Sequence, residues 1–196
     1  MHITGPAGLL EAELLQAPLE KTITAILCHP HPQYGGSMHD AVLGTTSDVL
    51  LANGVNCLRF NFRGVGASEG RFDDAVGEQQ DLQAVVDWVQ YEYPRDALWL
   101  VGYSFGAHVI SLALANEVIN PTPKRTFLIA PPNGVMNETR QFDGLEKTTF
   151  IAGSQDNFCD ISQLPGEPLI IEGADHFFSG QHDELAETVQ ASLSPE

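Results

Sequence analysis

The stretch that most constrains this chain is Ala97–Ser111, which reads ALWLVGYSFGAHVIS. Ala97–Val101 is a compact apolar run of strand length, in which Trp99, Leu100 and Val101 all favour extended backbone. Gly102-Tyr103-Ser104-Phe105-Gly106 interrupts it, and Ala107–Ala115 continues as an Ala-rich apolar stretch at helical spacing. A strand that turns so sharply into a helix holds its central serine at strained φ/ψ. The flanking glycines have no Cβ to clash with the adjoining strand and helix. Such a turn lifts the Ser104 hydroxyl above the sheet edge, at a helix N-terminus whose dipole and free N–H groups favour developing negative charge. Ser104 is therefore the candidate nucleophile, and Gly-x-Ser-x-Gly between strand and helix is the pattern of a nucleophile elbow.

An activated serine needs a base, and the base needs an orienting acid. His176 stands in Gly173-Ala174-Asp175-His176-Phe177-Phe178, after the last apolar run, and Asp156 stands in Gly153-Ser154-Gln155-Asp156, after the one before it. The order Ser104, Asp156, His176 is the one such an elbow calls for. Asp160 and Asp143 compete for the acid position. Asp156 fits best because it follows its strand by a short loop, whereas Asp175 suits a turn beside His176. An oxyanion formed at Ser104 needs two N–H donors. One is the backbone of Phe105; the second lies in His29-Pro-His-Pro-Gln-Tyr-Gly-Gly, where the prolines have none. His31, Gln33 and Tyr34 remain, and position favours His31.

The rest of the chain alternates strand and helix signals. Leu9–Leu15, Thr22–Cys28, Val55–Phe62, Arg125–Ala130, Thr148–Ala152 and Pro168–Ile171 read as strands. Met38–Ala52, Ala75–Tyr91 and roughly Ser179–Leu193 read as helices, the first ended by Asn53-Gly54. Alternation of this kind predicts an α/β fold, a mostly parallel sheet with helices on both faces and ligands at the carboxyl ends of its strands. With 196 residues and no repeat, linker or low-complexity segment, one domain over 1–196 is expected.

Charge and cysteines bound the surroundings. The formal charge of −17 leaves only Lys21, Lys124 and Lys147 among lysines and repels nucleic acid and anionic membranes, so neither is expected as a partner. Cys28, Cys57 and Cys159 are widely spaced with no CxxC, which fits a reducing compartment. The N-terminus lacks the pattern of a signal peptide and no stretch is long enough to span a bilayer, so a cytoplasmic location is expected. His29, His31 and His39 invite a metal reading, but Pro30 and Pro32 restrict the loop and no carboxylate or cysteine beyond Asp40 sits at ligand spacing. Arg63–Gly70 is rich in glycine yet has neither dinucleotide nor Walker spacing, so it reads as a tight turn at a strand end. No metal or other cofactor is expected.

Four segments together resemble the α/β-hydrolase superfamily from about Thr22 to the last helix, and more narrowly its small dienelactone-hydrolase-like branch. They are CHPHPQYGGSMHD at Cys28–Asp40, FNFRGVGASEG at Phe60–Gly70, GYSFG at Gly102–Gly106 and GADHFF at Gly173–Phe178. By that resemblance Ser104, Asp156 and His176 match the catalytic triad, and His29–Gly36 matches the oxyanion loop. Dienelactone hydrolase proper uses a cysteine nucleophile where this chain has Ser104. Only Pro131–Lys147 stands where many relatives insert a helical lid, which implies an open, shallow site. The resulting expectation is a serine hydrolase of esters or thioesters of small accessible acyl groups. The rivals are acyl transfer or peptide cleavage by the same triad, and a non-catalytic binding protein on the same scaffold.

Overall fold

The computed structural model describes residues 1–18, 22–136, 142, 145 and 148–193. The chain runs β1 (His2–Gly5), β2 (Gly8–Leu15), β3 (Ile23–Cys28), α1 (Ala41–Ala52), β4 (Asn56–Phe60), α2 (Val76–Glu92) and β5 (Ala97–Tyr103). It continues α3 (Phe105–Ala115), β6 (Arg125–Ile129), β7 (Thr149–Gly153), β8 (Leu169–Ile171) and α4 (His182–Ser192). Among the described residues the strands form one sheet in the order β1-β2-β4-β3-β5-β6-β7-β8. β1/β2 and β2/β4 pair antiparallel, and every other neighbour is parallel.

Side chains alternate across a strand, so each central strand feeds two cores. Ala25 and Leu27 of β3, Val101 and Tyr103 of β5, and Phe127 and Ile129 of β6 pack with Val42, Leu43 and Leu50 of α1 and Leu185 and Val189 of α4. Ile26, Cys28, Leu100 and Leu128 point to the other face, against Leu82, Val85, Val86 and Val89 of α2 and Val109, Ile110 and Ala113 of α3. A sheet buried on both faces accounts for the continuous apolar runs of the central strands. The fold is the α/β-hydrolase fold, as the motifs implied.

Three local readings differ from expectation. β1 has no counterpart in the sequence reading; it is four residues long and alternates exposed and buried at the sheet edge. α1 starts at Ala41 rather than Met38, because the Asp40 carboxylate accepts the Val42 N–H and caps the helix there. α4 starts at His182 rather than near Ser179, because Asp175 Oδ1 takes the N–H groups of Phe177 and Ser179 and holds that segment in a turn. Arg63–Gly70 is a turn as expected. It is anchored by Arg63, which bonds both carboxylate oxygens of Asp81 in α2 and the Gly77 carbonyl.

Candidate active site

Ser104 sits between β5 and α3 with φ 53° and ψ −118°, the strained backbone expected at that turn. The glycines there are close-approach positions. A Cβ on Gly106 would lie 2.1 Å from the Cys28 carbonyl oxygen, and one on Gly102 would lie 2.6 Å from the Ala107 nitrogen. Ser104 makes no side-chain cap bond to α3, so its hydroxyl faces outward and meets His176 Nε2 at 2.9 Å.

His176 and Asp156 come from loops after β8 and β7, and backbone bonds sew those loops together. Ser154 donates to the Ile171 carbonyl and Gln155 to the Ala174 carbonyl. Gly153 permits this approach, since a Cβ there would lie 2.2 Å from the Ala174 oxygen. His176 Nδ1 lies 2.8 Å from Asp156 Oδ2, and the Asp156 side chain is fully enclosed. Asp156 Oδ1 accepts the N–H groups of Phe158 and Cys159, so the carboxylate cannot rotate freely. A carboxylate only accepts, so Nδ1 carries the proton and Nε2 presents its lone pair to Ser104. The structure thus brings Ser104, His176 and Asp156 into one line. Asp160 instead caps a short turn through Ser162, Asp175 shapes the turn beside His176, and Asp143 lies outside the described residues.

The loop after β3 contains a 3-10 turn at Pro32–Tyr34. Tyr34 N–H donates to the His31 carbonyl, and Gln33 N–H to His31 Nδ1. Of the three candidate donors, two are thereby engaged within the loop and the His31 N–H is left. Phe105 opens α3, so its N–H has no acceptor within the helix. The His31 and Phe105 rings are 5.0 Å apart and both residues border the cavity over Ser104.

Two residues beside the line make contacts that the sequence does not reveal. Tyr103 donates its hydroxyl to the His176 carbonyl at 3.1 Å, and its ring lies beside the imidazole. Burial and the nearby Asp40, Asp156 and Asp175 push its pKa well up, so it stays a donor. His29 is fully buried, with Nδ1 on the Pro30 carbonyl at 2.6 Å and Nε2 accepting the Phe62 N–H at 3.0 Å. It ties the segment just after β4 to the loop carrying His31. The sequence signal for this was the placement of His29 directly after a buried strand. His29 and His31 therefore spend ring nitrogens on the loop itself, and among the described residues no three His, Cys, Asp or Glu gather as a metal site.

The cavity above Ser104 holds about 810 Å³, within the range of small-molecule sites. Tyr34, Phe105, Phe158 and Phe177 all border it, together with Val135, Met136 and the half-buried carboxylate of Asp40. Burial holds Asp40 above the ordinary aspartate range.

Comparison with known proteins now adds a name to this geometry. A family model described as the alpha/beta hydrolase family matches residues 25–158, which include Ser104 and Asp156. The chain belongs to the α/β-hydrolase family. An uncharacterized protein of Rickettsia prowazekii is 30% identical, over 98% of this chain and 87% of its own. A solved alpha-beta serine hydrolase homologue from Coxiella burnetii is 35% identical, with TM-score 0.88 over 99% of this chain and 96% of that one. A Xanthomonas campestris protein described as an α/β serine hydrolase without lid is 33% identical, with TM-score 0.86 over 98% and 92%. This α/β-hydrolase therefore sits with the small lidless members of the family. Among its described residues no helix is long and apolar enough to cross a membrane.

Proposed function

We propose that this α/β-hydrolase cleaves carboxylic esters or thioesters of small, accessible acyl groups through an acyl-enzyme on Ser104. The observation that carries this is the unbroken line from Ser104 Oγ through His176 to Asp156, at 2.9 and 2.8 Å. His176 Nε2 takes the hydroxyl proton as Oγ bonds to the acyl carbon. Asp156 holds the tautomer and stabilises the imidazolium. The carbonyl oxygen, now negative, accepts from the N–H groups of Phe105 and His31, and loss of one such donor costs about 3–4 kcal/mol of transition-state stabilisation. Collapse of the tetrahedral intermediate breaks the bond to the leaving group, which receives the proton from His176. Water then resolves the acyl-enzyme by the same steps.

The partner we propose is a small acyl compound. A formal charge of −17 disfavours nucleic acid and anionic membrane. Three free, buried cysteines suit a reducing, cytoplasmic setting; burial pushes Cys57 and Cys159 up to about 12 and makes them poor nucleophiles beside Ser104. The test is hydrolysis of a p-nitrophenyl ester series from acetate to octanoate by wild type and Ser104→Ala, alongside labelling by a fluorophosphonate. Turnover and labelling that both vanish in Ser104→Ala are expected. A wild-type protein that neither labels nor turns over any ester is a binding protein on this scaffold.

A further inference from the structure

On the ester-hydrolase reading just given, the leaving group has a defined exit. His176 Nε2 hands its proton to the departing oxygen, so that oxygen sits beside the imidazole and its substituent lies along whatever borders the ring. Besides the buried Tyr103, two exposed aromatic rings border it. The Phe158 centroid is 4.7 Å from that of His176 and the Phe177 centroid 5.3 Å, while the two phenyl rings stand 6.4 Å apart at 72°. Both line the cavity, yet Phe158 is 42% and Phe177 59% exposed. Large apolar side chains held in that state beside a reacting group have apolar surface to offer a ligand.

The display of Phe177 is built into the backbone. Asp175 Oδ1 fixes the Phe177 N–H, and the next residue, Phe178, adopts φ 53°, a left-handed conformation costly for a bulky side chain. Phe178 is fully buried among α1 and α4 residues, whereas its neighbour Phe177 stays at the cavity. The same cavity carries the Asp40 carboxylate, which opposes an anionic leaving group and leaves a neutral one favoured.

We propose that Phe158 and Phe177 form a leaving-group subsite for a neutral aromatic alcohol, making the substrates small-acyl esters of arylalkyl alcohols. In that reaction the Ser104 Oγ–acyl bond forms, the acyl–oxygen bond to the alcohol breaks, and the Ser104 proton passes through His176 to the released alcohol. Ring pairs prefer edge-to-face or offset contact, a preference that adds to area burial and separates a phenyl from a cyclohexyl group.

The experiment is pH-stat hydrolysis of 2-phenylethyl acetate, 2-cyclohexylethyl acetate, ethyl acetate and ethyl 3-phenylpropanoate by wild type, Phe177→Ala, Phe177→Leu and Phe177→Trp. Wild type should favour 2-phenylethyl over ethyl acetate by about tenfold or more in kcat/KM, chiefly through KM, from burial of the ring. It should favour phenyl over cyclohexyl by about threefold. Phe177→Ala and Phe177→Leu should collapse the first ratio and Phe177→Trp should keep it. Ethyl 3-phenylpropanoate, with its ring on the acyl side, should gain little over ethyl acetate. Equal rates for the phenyl and ethyl acetates, a preference that survives both small Phe177 variants, or a ring preferred on the acyl side would each overturn the subsite. If ethyl acetate is turned over and Ser104 labels with fluorophosphonate while no ring preference appears, only the subsite is wrong. If no ester turns over and Ser104 does not label, the hydrolase reading itself fails and takes the subsite with it.

Discussion

Burial of His29, with Nδ1 donating to Pro30 and Nε2 accepting from Phe62, leaves its imidazole no place for a second proton, and its pKa falls to about 4. In the unfolded chain the same group titrates near the ordinary 6.5. Between those values the unfolded state binds more protons, so stability rises with pH across the window. The contribution is fully present above about 6.5 and is lost as pH falls toward about 4, on the order of 3 kcal/mol in all. Replacement by glutamine keeps a donor and an acceptor but no titratable ring. Denaturant unfolding at pH 7.5 and 4.5 should show wild type losing about 2 kcal/mol more than His29→Gln, since carboxylates titrate alike in both proteins. Equal losses would mean that His29 is charged in the fold. The sequence places His29 at the start of the His29–Gly36 loop and argues against it as a metal ligand, but shows no structural role for its ring. Its partners, a carbonyl next door and an N–H 33 residues away, appear only once β3 and β4 lie side by side.

Elements were far more legible than such contacts, for a reason visible in α3 and its surroundings. A buried parallel sheet writes itself as short apolar runs between amphipathic stretches, and Gly102, Gly106 and Gly153 stand where backbones nearly touch. β1 stayed hidden because a four-residue edge strand buries too little to pattern its sequence. The starts of α1 and α4 were misplaced because side-chain caps and turns at Asp40 and Asp175 decide them, not hydrophobic period. The convergence of Ser104, Asp156 and His176 is legible from loop placement, and position favours His31 over Gln33 and Tyr34; what only the fold adds is the 3-10 turn that engages the other two N–H groups. The packing of α3 onto β3 also gives a prediction. A methyl on Gly106 would drive into the Cys28 carbonyl, rigid strand backbone that cannot rotate aside. Gly106→Ala should therefore cost about 3 kcal/mol or more in denaturant unfolding and separate α3 from β3, lowering turnover as well. Gly44, whose added Cβ would meet nothing within 4 Å, is the control: Gly44→Ala in helix α1 should stabilise by up to about 1 kcal/mol.

At the scale of the whole molecule the dominant quantity is the formal charge of −17 on 196 residues. Carboxylates so much in excess repel one another more strongly when held on a folded surface than when spread along an unfolded chain, so the charge opposes folding. Salt relieves this as the Debye length falls, from about 30 Å at 0.01 M to about 8 Å at physiological ionic strength. Raising sodium chloride from 10 mM to 0.3 M should thus raise Tm by about 3–6 °C, the shift that one to two kcal/mol produces in a domain of this size. A gain that levels off below about 0.5 M marks screening, because little of the field remains to be screened beyond that point. Strengthened apolar burial by salt would instead grow steadily into the molar range. A Tm that is flat or falls over the first 0.3 M would show that the few cations, such as Arg63 on Asp81 and Arg59 on Glu13, already offset the excess locally. The same field would act on substrates of the proposed reaction: kcat/KM for an ester bearing a carboxylate should climb with salt over that range while a neutral ester stays level, an outcome that would tie the hydrolysis proposed at Ser104 to the charge of the entire surface.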